Sequence, residues 1–410
     1  MASSRVAMSE MRGMNQNWAL RRTDSAGIVA ISPPMALHTT SSTGRRPLQT
    51  APENVLRDRW WWAPAAALFR RAVRIRHWAF DRGFRASQEG ALPTVVLGNV
   101  TVGGTGKTPH LKALLQKLMD SSKDTRWAIL SRGYGRKTQG FLRVDREGKP
   151  EEYGDEPLEV ARKFPGVAVY VCEDRLQGLE RIREAGLADA VLMDDGLQHR
   201  KLIPSIGIAL VDTTQPVDRD HFLPRGRLRD LPERITKADA VILTRCPTAL
   251  TKGDLRLWRH RLKLAADTPL LHSGSRPEGL RAMATKRYAS WPMRCVAVSG
   301  IAQPAQFEAH LSRHCSVVRH FAYPDHQEFA PKHLEEWRQA LATPDERDQL
   351  PEALITTEKD AERIRPLAGA ADLPILILNL HIQWWDTVAL DGLLSTIRER
   401  VEAFQSNSDI

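Results

Sequence analysis

The segment VVLGNVTVGGTGKTPHLKALL, Val95–Leu115, constrains this chain more than any other. It reads as a short buried strand, a glycine-rich turn and a helix with apolar residues at helical spacing. A G-x-x-x-x-G-K-[ST] loop in that setting is a phosphate cradle. Gly106, Lys107 and Thr108 supply its end, but Thr101 stands where the first glycine belongs. The physics tolerates the change. Gly103, Gly104 and Gly106 still let backbone N–H groups converge on an anion without a Cβ penalty. Thr101, Val102, Gly103, Gly104, Thr105, Gly106, Lys107 and Thr108 are therefore expected to surround the phosphates of a nucleotide. Lys107 would reach the β- and γ-phosphates, and the Thr108 hydroxyl would face Mg²⁺. The following helix adds its positive N-terminal end.

A second motif supports the first. AVLMDDGLQHR places Asp194 and Asp195 at the end of an apolar strand, where carboxylates hold Mg²⁺ or its waters beside such a loop. Further apolar runs predict strands at Thr94–Asn99, Trp127–Gly133, Val167–Asp174, Asp189–Asp195, Ile206–Asp212 and Asp239–Arg245. Helical patterns lie between several of them, as at His110–Met119 and Leu176–Ala185. This alternation predicts an α/β fold of the P-loop NTPase kind, a mostly parallel sheet with helices on both faces. Another set of strands, Arg294–Gly300, Ala353–Asp360 and Leu373–Leu380, predicts a smaller C-terminal α/β domain. The expected divisions are an extension at 1–52, an interface helix at 53–85, a phosphate-loop domain at 86–290 and the smaller domain at 291–400. The Gly-, Pro- and charge-rich stretch Gly274–Pro292 is the expected hinge.

With 59 basic and 49 acidic residues among 410, the chain favours anionic partners. Four cysteines without CxxC spacing speak against a disulfide framework or a structural metal. No apolar run is long enough to span a bilayer. The first fifty residues hold six arginines against Glu10 and Asp24. That composition is shared by organellar targeting segments, disordered extensions and upstream start codons, with Met8, Met11, Met14 and Met35 as other starts. Between Arg59 and Arg85, Trp60, Trp61, Trp62, Leu68 and Phe69 accompany Arg70, Arg71, Arg74, Arg76 and Arg82. Three consecutive tryptophans cannot all face one core, and Trp with Arg on one short helix predicts binding to an anionic membrane surface. Nucleic acid is not the expected partner, since aromatic residues interleaved with basic ones are not evident elsewhere.

GNVTVGGTGKTP, SRGYGR (Ser131–Arg136), GDEP (Gly154–Pro157), EDR (Glu173–Arg175), DDGLQHR (Asp194–Arg200), LPRGRLRD (Leu223–Asp230), PDHQ (Pro324–Gln327) and TTEKD (Thr356–Asp360) follow in this order. Together they resemble the tetraacyldisaccharide 4′-kinase family, whose loop habitually carries Thr at that first position. The resemblance covers about residues 55 to 400. It implies ATP- and Mg²⁺-dependent phosphorylation of the 4′-hydroxyl of an acylated glucosamine disaccharide 1-phosphate, a step of lipid A synthesis. It also implies a peripheral enzyme on the cytoplasmic face of the bacterial inner membrane; an organelle of bacterial origin is the minor alternative. Asp155 and His326 match the family's general-base carboxylate and its histidine, and Lys107 its catalytic lysine. Asp194, Asp195 and Thr108 match its metal site. Such a carboxylate accelerates transfer by about 10²–10⁴.

On their own Asp155 reads as a turn or cap residue and His326 as a loop residue. Tyr134, between glycines, reads as a contact to sugar or nucleotide, with Arg132 and Arg136 beside it either on phosphate or in solvent. His199 reads as a base or a structural partner. Arg229 is expected on the substrate, while Asp230 replaces the family's usual Glu and leaves its role open. TTEKD reads either as a helix cap or as part of the nucleotide pocket. The competing reading is a P-loop switch ATPase without a lipid acceptor; a GTPase would want an N-K-x-D motif, and none is present.

Overall fold

The computed structural model describes residues 60–285, 287–325 and 327–408, all within one unit, Thr50–Ile410. The 1–52 extension and the first residues of the expected interface helix lie outside the described residues, as does His326. The described chain forms one thirteen-stranded sheet and a two-stranded one. From one edge the large sheet runs Ser316–Ala322, Arg294–Ser299, Ala353–Thr357, Ile375–Trp384, Leu270–Ala282, Ala240–Thr244, Ile206–Asp212, Thr94–Gly98, Ala190–Asp194, Trp127–Ser131, Ala168–Val171, Leu142–Arg143. Neighbours are parallel except where Leu270–Ala282 meets Ile375–Trp384 and Tyr288–Ala289, and where Leu142–Arg143 meets Ala168–Val171. This is the mostly parallel α/β sheet the sequence predicts, and the strand positions agree closely.

Alternation along the strands explains helices on both faces. Val95, Leu97, Ile129 and Leu192 pack with Leu111, Leu115 and Leu158 of the helices Lys107–Ser121 and Asp155–Lys163. Val96, Leu130, Val191 and Met193 point the other way, onto Leu179 and Ile182 of the helix Arg175–Ala185. Because every residue of Thr94–Gly98, Trp127–Ser131 and Ala190–Asp194 is buried on one face or the other, these central runs are continuously apolar rather than alternating.

Leu270–Ala282 is shared between the two groups of strands, parallel to Ala240–Thr244 at one end and antiparallel to Ile375–Trp384 along most of its length. Gly274–Ala282, expected as part of a hinge, lies within this strand. The last helix, Thr387–Ser408, returns to the first core through Leu390, Leu393 and Ile397. The phosphate-loop strand Thr94–Gly98 lies between Ile206–Asp212 and Ala190–Asp194. Its neighbours follow it in sequence by different routes, so the crevice beyond its carboxyl end is where such sheets bind ligands.

Candidate functional site

The loop after Thr94–Gly98 is turned inside out by the groups around it. The Arg245 guanidinium donates to the Gly104 carbonyl, the Thr244 hydroxyl donates to the Thr105 carbonyl at 3.0 Å, and His110 Nδ1 donates to the Gly106 carbonyl at 2.6 Å. A peptide's C=O and N–H point in opposite directions, so holding the Thr105 and Gly106 carbonyls from outside turns the Gly106 and Lys107 amides away from those partners, while the Thr105 amide is taken by the Gly103 carbonyl at 3.1 Å. Gly106 at φ 86° begins the helix Lys107–Ser121 and supplies the left-handed step that a side chain would resist. A carbonyl only accepts, so His110 Nδ1 carries the proton and Nε2 accepts from the Ser273 hydroxyl at 2.8 Å. Burial holds the ring neutral down to about 4.

Thr101 fills the missing-glycine position without strain. It bridges to Leu228, and the Val102 amide donates to the Arg227 carbonyl at 2.7 Å. Asn99 ties the two ends of the loop together. Its amide donates to the Thr101 and Thr105 hydroxyls at 3.1 and 2.8 Å, and its Oδ1 accepts from Lys107 at 3.3 Å. Asn99 stood inside the quoted motif but was not singled out; an asparagine at a strand end followed by threonines two and six residues on is the available signal.

Thr108 is buried at the helix start, and Lys107 lies 3.8 Å from Asp195. Asp195 adopts φ 51°, a left-handed conformation, and receives both ends of the Arg229 guanidinium. Burial raises its carboxyl, but Arg229 and Lys107 outweigh burial and hold it low. Arg229, expected on the substrate, is thus engaged by Asp195 and by Asn99 Oδ1 at 2.8 Å. Asp194 differs: its Oδ1 is buried with no hydrogen-bond partner among the described residues. Burial first, then the Glu156 and Asp195 carboxylates, push it up to about 8. A buried carboxylate oxygen without a donor, next in sequence to a second carboxylate, is a group that a divalent cation fits.

Glu156 brings the other half of the site into view. It neighbours Asp155, which opens the helix Asp155–Lys163 after Gly154 at φ 90°. Asp155 Oδ2 accepts from Arg363 Nε at 2.8 Å and from Nη2 as well. The phosphate-loop helix joins the same cluster through Lys112, which pairs with Glu159 and, at 2.5 Å, with Glu358. Sequence reasoning passed over Arg363, Lys112, Glu159 and Glu358; a lysine on the apolar face of a helix was the one available hint.

The remaining candidates divide. Tyr134 is exposed between Gly133 and Gly135, both in the left-handed region. Arg136 turns inward to Glu173 and to the Gly140 carbonyl, while Arg132 stays exposed. His199 is kept neutral to about 4 by burial and nearby cations. Asp230 holds the helix Ala63–Asp81: it is buried against His77 Nε2 at 2.5 Å, while Arg200 donates to His77 Nδ1 at 3.0 Å. TTEKD caps a helix, with the Thr357 hydroxyl accepting the Asp360 amide at 3.1 Å.

The helix Ala63–Asp81 is amphipathic in an unusual sense. Its inner face is fixed by Ala66, His77 and Phe80, while Trp60, Trp61, Leu68, Ile75 and Trp78 are at least half exposed. Among the described residues no helix is long and apolar enough to cross a membrane.

Comparison with known proteins agrees with this geometry. The family model for tetraacyldisaccharide-1-P 4′-kinase matches residues 58–399. A tetraacyldisaccharide 4′-kinase of Cytophaga hutchinsonii is 36% identical over 339 residues, 81% of this chain and 91% of that protein. Another of that name, from Parabacteroides distasonis, is 33% identical over 78% of this chain and 86% of its own length. The crystal structure of LpxK from Aquifex aeolicus in complex with ATP superposes with a TM-score of 0.64 at 26% identity, covering 83% of this chain and 98% of that one. The chain belongs to the tetraacyldisaccharide-1-phosphate 4′-kinase family.

Proposed function

We propose that this chain transfers the γ-phosphoryl group of ATP to the 4′-hydroxyl of a tetraacyldisaccharide 1-phosphate. The observation that carries the reading is the meeting of two halves: Lys112 of the phosphate-loop helix pairs with Glu159 of the helix that Asp155 opens. Inward amides of the loop and Lys107 bind the β- and γ-phosphates. Thr108 and Asp194, with Asp195 beside them, would hold Mg²⁺; the ion would neutralise charge on the phosphate oxygens. Asp155 takes the proton of the attacking hydroxyl, with His326 as its expected partner. Tyr134 lies exposed where a sugar can reach it. Arg229 acts indirectly, by keeping Asp195 and Asn99 in place for Lys107.

A lipid acceptor lies in a bilayer, so the enzyme must reach it from the surface. Exposed Trp60, Trp61, Leu68, Ile75 and Trp78 enter the headgroup region, and Arg70, Arg71 and Arg74 meet lipid phosphate. We place the enzyme peripherally on the cytoplasmic face of the bacterial inner membrane, with residues 86–290 as the phosphate-loop domain and 291–400 as a smaller C-terminal α/β domain. A switch ATPase would need no acceptor base.

The test is transfer itself. Purified chain receives γ-labelled ATP, Mg²⁺ and detergent-dispersed tetraacyldisaccharide 1-phosphate. Label on the lipid, lost in Lys107→Ala and Asp155→Asn, supports the reading. ATP hydrolysis without lipid label would overturn it.

A further inference from the structure

The TTEKD segment opens a seven-residue helix, Glu358–Ile364, that contacts the phosphate-loop helix, the helix opened by Asp155, and Asp325. Glu358 receives Lys112 of the phosphate-loop helix, and Lys163 also pairs with it at 3.4 Å. Burial pushes the Glu358 carboxyl up, but Lys112 and Lys163 outweigh it and bring it down to about 2. Lys359 donates to Asp325 at 2.9 Å, and so anchors that aspartate. Arg363 reaches Asp155 across 208 residues of sequence. One end of Arg363 is itself fixed: its Nη1 lies 3.3 Å from Asp360 Oδ1, while Asp360 Oδ2 accepts the Gly300 amide at 2.9 Å and the Thr357 hydroxyl at 2.7 Å. Arg363 and Asp360 are almost wholly shielded from solvent.

We infer that Arg363 is the positioning residue of the acceptor-side carboxylate: a buried chain Gly300–Asp360–Arg363 fixes Asp155 so that it meets the acceptor hydroxyl. This rests on the reading of Asp155 as the base. The physical argument is geometric. An aspartate at the first position of a helix has free χ angles unless something fixes them. Two N–H groups converging on a single oxygen, Oδ2, tether that oxygen and with it the reach of the carboxylate. A planar guanidinium does this, whereas an ammonium supplies charge without direction. Asp360 in turn prevents Arg363 from swinging, because its other oxygen is held by a backbone amide and a capping hydroxyl. Arg363 touches no reacting atom; it acts through Asp155.

Steady-state kinetics of the full chain with ATP and tetraacyldisaccharide 1-phosphate in detergent provide the test. Arg363→Ala should lower kcat roughly 10–100-fold, the order expected when a reacting group is misplaced by an ångström. KM for ATP should change by less than about twofold, since the phosphate loop is untouched. Arg363→Lys should recover only part of the loss, because charge returns without the fork. In an Asp155→Asn background, Arg363→Ala should do nothing further, since coupled residues are not additive. Asp360→Asn should reproduce a weaker form of the same pattern, and it serves where Arg363→Ala does not fold. Wild-type kcat in Arg363→Ala, losses that multiply in the double variant, or an effect confined to the KM for ATP would each overturn the inference. Wild-type kcat in Asp155→Asn would instead remove the reading of Asp155 beneath it.

Discussion

The phosphate loop and the acceptor-side carboxylate are held by different means. The loop is braced from outside, mostly by neutral groups: a threonine hydroxyl, a histidine kept neutral and an asparagine amide, with Arg245 as the one charge. The carboxylate is braced by charges, Arg363 on Asp155 and the buried triad Lys112, Glu159 and Glu358 behind it. The difference follows from what each must hold. The loop must present amides to an anion, so its frame need only bind carbonyls, and neutral donors suffice. Asp155 brings its own negative charge into a half-buried place and needs a cation beside it. Charge bracing is strong while complete and costly when broken, and this asymmetry separates the two regions experimentally.

The largest separation should appear in kinetics. Asp155→Asn removes the proton acceptor and should lower kcat by about 10²–10⁴ while leaving ATP binding intact. Lys107→Ala should lose both, because the lysine serves the phosphates directly. If both variants lose ATP binding in equal measure, the two regions are one unit and the comparison fails.

Stability should follow. Lys112→Met leaves Glu159 and Glu358 facing each other in a buried place, and breaking a buried pair on one side typically costs about 3–5 kcal/mol. Denaturant unfolding measures this. Adding Glu159→Gln and Glu358→Gln to Lys112→Met should restore most of the loss, since the one remaining charge of the cluster, Lys163, reaches solvent. No recovery in the triple variant would mean that packing of the lysine stem, not charge, holds these helices.

The neutral frame predicts a pH effect of definite sign. His110 has its pKa lowered from 6.5 to about 4 by burial, so the unfolded chain takes up a proton that the native state resists. The stability His110 contributes is complete above 6.5 and is lost as pH falls toward 4, on the order of 3 kcal/mol across that window. His110→Asn keeps a donor for the Gly106 carbonyl but does not titrate. It should flatten the dependence of unfolding free energy on pH over that range; an unchanged slope would assign it to other groups, with half-buried His199 the next candidate.

The same contrast explains what was legible in the sequence. The strands, the loop and the Asp194–Asp195 pair are encoded locally, in apolar runs and in residues a few positions apart, so pattern reading finds them. Asn99 is legible too, through the threonines two and six residues on that its amide binds. Arg363, Asp360 and Glu358 were not legible, because their partners Asp155, Gly300 and Lys112 lie far away and no periodicity links them. Asp155 itself was named only through the family resemblance. The role of Asp230 stayed open in the sequence for the same reason: its partner His77 stands 153 residues away.

Arg245 offers the smallest and sharpest test, because it is the one charged brace on the loop. Its backbone adopts φ 61°, where a non-glycine residue is strained, and its guanidinium spans Asp212 at 2.8 Å and the Gly104 carbonyl. If the strain serves to aim the guanidinium at the loop, then stability and ATP binding must come apart on substitution. Arg245→Ala keeps the strained backbone and removes the donor; Arg245→Gly removes both, and relief of the left-handed conformation should make it the more stable of the two by about 1 kcal/mol. Both should nevertheless raise the KM for ATP by the same factor, roughly tenfold, the loss of one hydrogen bond from a charged group. Equal stability of the two variants would show the backbone to be unstrained. A KM restored in Arg245→Gly would show that the loop needs the turn and not the guanidinium, and the loop would then be braced by neutral groups alone.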